Sequence, residues 1–383
     1  MTLLNGVDRL EQYCELFQGK RLGLITSPTG LNRSGETTID ILHEKYGLSA
    51  LFSPEHGVRG DMAAGDLVES YTDKETGVPV YSLYRKNSKR LTPEMLNQVD
   101  TVVYDIQDVG ARYYTFLYTM LYALEDCAAA GKTFIVLDRP DPLGGITVEG
   151  NILKENYKSF VGGYPLCMRY GLTVGEFARM ANEQMNLNCD LHIIPCSGWK
   201  RSMQFPDYGG VWVPPSLNIP RFESALLYPG MCLFEGTNYS EGRGTANPFE
   251  VIGAPSADAP RLAREMNRKH LPGVWFRPAY FSPTTSKHKD IPCEGVQIHI
   301  TDRHAIQPVD VGIRLLDECC REDSEFAFLP PVNGGKRRAI DLLGGDRIVG
   351  EQVDNAEELL SAFHTDSLAF QKQVQKYLIY EEE

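Results

Sequence analysis

The chain of 383 residues lacks most of the signatures by which common catalytic and binding classes announce themselves. It has no Cys-x-x-Cys pair. Its nine cysteines are scattered and odd in number, with Cys319 and Cys320 adjacent. This pattern excludes a disulfide framework or a zinc ribbon and points to reduced, mostly buried thiols. No apolar run reaches the roughly 18 residues a membrane span needs. The stretch Met1 to Tyr13 carries charges and no apolar core, so it does not read as an export leader. The expectation is a soluble protein acting in the cytoplasm, with secretion requiring a leader already removed. An excess of positive charge is also missing. There are 38 basic and 51 acidic residues, a net charge of −13, so neither nucleic acid nor an anionic membrane is an expected partner. Gly-x-Gly-x-x-Gly is absent after the first predicted strand, as is a Walker loop, which argues against a dinucleotide or nucleotide site. No Gly-x-Ser-x-Gly elbow supports a serine nucleophile. Histidines do not cluster. No metal or other cofactor is expected.

What is present is an alternation of strands and helices. Arg21 to Thr26 reads as a first strand and Thr38 to Tyr46 as a helix. Leu48 to Phe52 is a second strand, and Val78 to Leu83 a short one. Thr92-Pro93-Glu94 opens a helix, with Thr as its cap and Pro at the first helical position. Thr101 to Ile106 is β-branched, as a strand buried on both faces would be. Phe116 to Ala130 is a helix closed by Gly131, and Thr133 to Leu137 the next strand. Thr173-Val174-Gly175-Glu176 has capping-box spacing and opens a helix to about Met185. Leu191 to Pro195 is another strand. This order predicts an α/β domain, Rossmann-like, with a mostly parallel sheet. From Val211 to Thr245 prolines and glycines loosen the pattern into a long connection. Beyond it, Ala257 to Lys269, Val309 to Cys320 and most of Asn355 to Tyr380 read as helices. Val274 to Phe281 and Gly295 to Ile300 read as strands. The second unit is therefore a smaller α+β auxiliary domain. The expected division is residues 1–231 and 232–383, and the Glu381-Glu382-Glu383 tail is expected in solvent.

Polar residues collect where predicted strands end. In a parallel sheet these ends share one edge, and ligands bind there. Glu55, His56 and Arg59 follow the second strand. Asp105, Gln107, Asp108, Arg112, Tyr113 and Tyr114 lie at and after the Thr101 strand, and Asp138 and Arg139 follow the next. A further polar loop, Glu235 to Thr245, brings Glu235, Asn238, Glu241 and Arg243, and is expected to close over the same edge. Carboxylates, amides, arginines and tyrosines suit a sugar. Hydrolysis of a glycosidic bond needs a proton donor and, in most enzymes, a second carboxylate acting as base or nucleophile. Glu55 is the expected donor, because an apolar strand delivers it and burial would favour its protonated form. The second group is left among Asp105, Asp108, Glu235 and Glu241. Arg59, Arg112, Arg139 and Arg243 are available for an acidic sugar. Each residue has a plainer reading. His56 can bond its own turn, Asp105 and Asp108 can cap the next helix, Asp138 and Arg139 can pair with each other, and Tyr113 and Tyr114 can be core. Glu55, His56 and Asp105 match no metal-ligand spacing. A non-catalytic saccharide-binding protein is the alternative class. A phosphorylated substrate is disfavoured by the missing phosphate loop.

Four stretches carry a resemblance. Ser53-Pro54-Glu55-His56-Gly57-Val58-Arg59-Gly60 resembles the signature of the NamZ family of exo-β-N-acetylmuramidases, formerly a domain of unknown function. So do Tyr104 to Thr115, Leu137-Asp138-Arg139-Pro140 and Glu235-Gly236-Thr237-Asn238. The resemblance runs from about Gly19 to the C-terminus. It implies a Rossmann-like domain and an auxiliary domain with the active site in the cleft between them. It implies removal of β-1,4-linked N-acetylmuramic acid from the non-reducing end of peptidoglycan fragments. Within it Glu55 matches the glutamate taken as catalytic, and the lactyl carboxylate of muramic acid gives the arginines a purpose.

Overall fold

A computed structural model describes residues 2–55, 57–60, 70–85, 88–331 and 335–383. Seven strands form the main sheet: β1 (Leu22–Thr26), β2 (Leu48–Ser53), β3 (Tyr71–Thr72), β4 (Pro79–Ser82), β5 (Thr101–Asp105), β6 (Thr133–Leu137) and β7 (Leu191–Ile194). Their order is β3-β4-β2-β1-β5-β6-β7. Only β3 runs against its neighbour, β4. β1 and β5 are buried at every position and pair from Leu22–Thr101 to Thr26–Asp105.

Alternation along these strands sends successive side chains to two cores. Val102 and Tyr104 of β5 and Phe134 and Val136 of β6 enter one, with Leu117, Leu121 and Leu124 of the helix Phe116–Ala130. Leu22 and Leu24 of β1, Val103 of β5 and Ile135 of β6 enter the other. There they meet Ile39, Ile41 and Leu42 of the helix Thr38–Tyr46. Helices on both faces are what a buried parallel sheet requires. The caps expected from sequence are made. Thr92 Oγ1 accepts from Met95 N–H, Thr173 and Glu176 close a capping box, and Gly131 ends its helix at φ 63°.

The smaller sheet is antiparallel, in the order β8 (Val251–Ala254), β10 (Cys293–Ile300), β9 (Val274–Phe281). It is flanked by helices Ala259–Arg268, Pro308–Glu322 and Ala356–Val374. Val296 and Ile298 are buried, on the face the alternation of β10 assigns them.

Two expectations need correction, and the N-terminal segment carries structure where none was expected. The 211–245 stretch is not a loose connection throughout. It contains a helix, Phe222–Met231, and a 3₁₀ turn, Cys232–Gly236. That helix is buried almost all round, so it shows no amphipathic period, and Pro229 and Gly230 lie within it. The N-terminal segment forms 3₁₀ turns over Gly6–Leu16. The tail leaves its glutamate side chains exposed, but its backbone is held. Glu381 C=O accepts from Arg201 N–H (2.9 Å) and Glu382 C=O from Ser202 N–H (3.2 Å).

Candidate active site

Glu55 sits two residues past the end of β2, where Pro54 turns the chain out of the sheet. It is half-buried rather than sealed. Its Oε2 accepts from the Thr115 hydroxyl at 3.2 Å, across from the loop that follows β5. Tyr84, just beyond β4, stands near it. Burial and the Glu55 charge together push that phenol upward. Lys89 places its ammonium 2.8 Å from the centre of the Tyr84 ring and 5.4 Å from that of Phe160. Burial lowers the Lys89 ammonium, against the pull of Glu55. Three strands, β4 and β2 and, beyond β1, β5, thus feed one group at the sheet edge.

The opposite wall comes from the second half of the chain. Glu55, Tyr113, Tyr114, Thr115 and Phe160 share a cavity of about 250 Å³ with Glu235, Arg243 and Asn218. Arg243 Nη2 donates to Glu235 at 2.6 Å, and its Nε lies 3.3 Å from Glu241. Lys287 Nζ lies 2.8 Å from Glu241 on the far side. Burial opposes the charge on Arg243, but Glu235 and Glu241 outweigh it and raise the guanidinium above its ordinary value. The alternating row Lys287–Glu241–Arg243–Glu235 therefore fixes Glu235 from behind. The Tyr113 and Tyr114 rings are both core and pocket wall, each edge-on to Tyr228 at 6.0 and 6.2 Å.

The structure uses the other expected residues differently. Asp105 is fully buried and forms a bidentate ion pair with Arg139, at 2.6 and 2.9 Å, while also accepting from the Thr38 hydroxyl. Asp105 and Arg139 hold each other, so the pairing of Asp138 with Arg139 is not the one formed. Asp138 accepts instead from Thr173 Oγ1 (2.7 Å), Gly175 N–H (2.8 Å) and the Tyr380 hydroxyl. Asp108 accepts from Tyr170 and two backbone N–H groups within its own turn. Neither Asp105 nor Asp108 caps the following helix, whose first residue follows Thr115. Arg112 is wholly buried and donates to the carbonyls of Asn151, Leu166 and Leu343 at 2.7–2.9 Å. Arg59 grips Asp73 at 2.7 and 2.9 Å. Asn238 bridges Glu325 C=O and Ala327 N–H. Gln107 donates to the Asp108 and Pro140 carbonyls and lines a separate cavity. His56 lies outside the described residues. Of the candidates, then, Glu55, Tyr113, Tyr114, Glu235 and Arg243 share the pocket, and Glu241 stands behind it.

Sequence reading missed Tyr84, Lys89, Phe160, Ser216 and Asn218. A signal existed for the first two. They follow a strand, β4, whose parallel pairing with β2 brings its end to the Glu55 edge. Among the described residues no group of three or more His, Cys, Asp or Glu side chains is placed to hold a metal. No helix there is long and apolar enough to cross a membrane. All nine cysteines are free, seven of them buried.

Comparison with known proteins covers the whole of this arrangement. Family models described as the N-terminal and C-terminal parts of exo-beta-N-acetylmuramidase NamZ match residues 22–223 and 226–380. The chain is 46% identical over 384 residues to peptidoglycan beta-N-acetylmuramidase NamZ of Bacillus subtilis (strain 168), spanning 98% of this chain and 91% of that one. Two crystal structures of DUF1343 family proteins from Bacteroides fragilis NCTC 9343 superpose over nearly all of it. One has a TM-score of 0.89 at 38% identity and covers 99% of each chain, and the other 0.79 at 29% identity and covers 100% of each.

Proposed function

The chain belongs to the NamZ family of exo-β-N-acetylmuramidases, and from that premise we propose how its residues divide the work. It is a glycoside hydrolase that removes N-acetylmuramic acid from the non-reducing end of peptidoglycan fragments. Such an enzyme needs N-acetylmuramic acid exposed at a non-reducing end. Its partner is this saccharide.

Glu55 is the general acid. It protonates the glycosidic oxygen as the C–O bond breaks, the shortened saccharide leaves with a hydroxyl, and a water adds to the anomeric carbon and gives up a proton to release free N-acetylmuramic acid. Thr115 aims the carboxyl. Glu235 is the second carboxylate, ion-paired to Arg243 and carrying the negative charge that the oxocarbenium-like transition state requires. Glu241 positions Arg243. Tyr113 and Tyr114 give the sugar an apolar wall. The division between the two units falls at Met231–Cys232, with Glu55 in the first and Glu235 in the second.

Lys89 receives the lactyl carboxylate. Arg59, Arg112, Arg139 and Arg243 are each engaged, by Asp73, by backbone carbonyls, by Asp105 and by Glu235. Lys89 lies beside Glu55 and Phe160 and has no carboxylate in ion-pair contact among the described residues. A partly buried cation with no carboxylate in ion-pair contact is a receptor for a carboxylate.

The observation that carries this reading is the meeting of Glu55 and Glu235, from opposite halves of the chain, in one cavity the size of a single sugar. The test is release from a chromogenic β-N-acetylmuramide, with the matching β-N-acetylglucosaminide beside it. The muramide should be released rapidly and the glucosaminide only slowly. Glu55→Gln should lower its turnover by about 10²–10⁴-fold, the contribution of a placed general acid, while sugar binding survives. Near-normal turnover in that variant removes Glu55 from the mechanism. Binding without release by the wild type means a saccharide-binding protein.

A further inference from the structure

The same sheet edge holds a second cavity, larger than the first, at about 530 Å³ against about 250 Å³. It lies where the strand order reverses. From β1 the chain steps to β2 and β4 on one side, then crosses to β5, β6 and β7 on the other. The loops that follow β1 and β5 part at this point, and such crevices are where open α/β sheets take ligands. Thr29 from the first loop, Gln107 from the second and Arg139 from the end of β6 line it. Its volume falls within the roughly 300–1,000 Å³ of small-molecule sites.

The lining has two characters. Phe205, Tyr208 and Trp212 form one wall, with Phe205 edge-on to Tyr208 at 5.5 Å and to Trp212 at 4.9 Å. The other wall is polar, and the exposed Arg33 side chain is part of it. Asp8 is taken up by the backbone N–H groups of Asn5 and Arg33, both at 2.7 Å, and Arg139 is neutralised by Asp105. Aromatic surface facing amides is a wall for pyranose rings, with their apolar faces and their hydroxyl and acetamide groups. A pair of carboxylates is missing from it, so this cavity does not cleave glycosidic bonds.

One strip of chain joins the two cavities. Val211, Trp212 and Val213 line the larger, and Ser216 to Ile219 line the Glu55 pocket, with only Pro214 and Pro215 between. Trp212 Nε1 donates to Ile219 C=O at 3.2 Å, so wall is bonded to wall. We propose that this second cavity binds the saccharide on the leaving-group side of the scissile bond. The terminal muramic acid fills the smaller pocket, and the chain behind it crosses the Pro214-Pro215 strip onto the aromatic wall. This rests on the muramidase reading above and adds a second saccharide site to it.

The test compares two substrates. A chromogenic β-N-acetylmuramide fills only the Glu55 pocket. A peptide-free tetrasaccharide of alternating N-acetylmuramic acid and N-acetylglucosamine reaches both cavities. Arg33→Ala is the first variant, since that side chain is exposed and the substitution does not endanger folding. Tyr208→Ala is the second. Each should raise KM for the tetrasaccharide about tenfold, the equivalent of about 1.4 kcal/mol, and leave both constants for the chromogenic substrate unchanged. Equal losses on both substrates, or no loss on either, overturn the site. A loss confined to a peptide-bearing tetrasaccharide overturns the saccharide assignment in favour of the stem peptide. If the wild type releases nothing, the muramidase reading fails by itself. Calorimetry with the tetrasaccharide then decides this site: weaker binding by the variants sustains it, and equal binding overturns it.

Discussion

A lysine set on an aromatic ring beside a glutamate is a small arrangement with a measurable consequence. If Lys89 holds the lactyl carboxylate, Lys89→Met removes the charge and keeps the length of the side chain. The value of kcat/KM for the β-N-acetylmuramide should fall by about 10²-fold, the equivalent of a charge-assisted contact of about 2–3 kcal/mol. The slow rate on the glucosaminide, which has no lactyl group, should not fall. Equal losses on the two would show that Lys89 acts on Glu55 and not on the substrate. Sequence pointed to arginines for this role because four of them stand in loops at strand ends. What it does not show is that each has a partner: Asp73 for Arg59, Leu343 C=O for Arg112, Asp105 for Arg139 and Glu235 for Arg243. Composition supplies the right charges, and only pairing reveals which of them remain for a ligand. Glu55 was legible because its signal is local, a carboxylate on a proline turn at the end of an apolar strand.

Helices and strands with a clear period were legible in the sequence nearly to the residue. Thr38–Tyr46, Phe116–Ala130, Thr133–Leu137 and Val274–Phe281 are as read. The helix Phe222–Met231 was not, because burial on every side erases the period that identifies a helix. Its Pro229 and Gly230 also resemble a break. The glycine serves tertiary packing. A Cβ built on Gly230 would lie 1.8 Å from Pro308 C=O, and one on Gly312 would lie 2.6 Å from Gly230 C=O. The helices Phe222–Met231 and Pro308–Glu322 therefore touch backbone to backbone. Tyr113, a pocket ring, donates its hydroxyl to Pro229 C=O at 2.7 Å in the same turn. Gly230→Ala would gain helix propensity of about 1 kcal/mol and force the helices apart. Overpacking of a rigid contact typically costs about 1–3 kcal/mol, and here the obstacle is backbone. The expected net result is a loss of about 2 kcal/mol in urea unfolding, with lower turnover because Tyr113 shifts with the helix. Unchanged stability would show that the two helices can separate freely.

For the molecule as a whole, the buried acids set how stability depends on pH. Burial pushes the carboxyls of Asp108 and Asp138 up to about 6 and that of Asp141 up to about 8. For Asp141 the Leu143 N–H and the charges of Arg169 and Arg201 oppose that push, and the charge of Asp108 adds to it. Asp141 Oδ1 accepts from Leu143 N–H at 2.9 Å, while Oδ2 is buried without a partner, as is Oδ2 of Asp108. These groups hold protons in the folded state at a pH where an unfolded chain releases them. Their contribution is fully present below about pH 4, the unfolded carboxyl value, and is lost as pH rises through about 6 and about 8. Asp73 and Asp100 act in the opposite sense. Hydrogen bonds from Arg59 and Arg21 hold both at about 2, so their contribution is lost as pH falls from about 4 toward 2. The melting temperature should therefore peak in mild acid and decline toward pH 9. Asp141→Asn keeps an oxygen for Leu143 N–H and cannot ionise. It should match the wild type near pH 4 and gain on it as pH rises, being more stable above pH 8 by an amount on the order of a few kcal/mol, seen as a higher melting temperature. A constant difference across that range would mean that Asp141 does not titrate in the folded protein. The sequence places Asp141 between two prolines in a rigid strand-end loop, with no local sign of burial. Its burial comes from contacts that no local pattern contains. Gly110 packs against its carboxylate, and a Cβ there would meet Oδ1 at 2.5 Å. The first half of the chain thus folds its catalytic edge around acids kept from water, and mild acid is where that edge should be most firmly held.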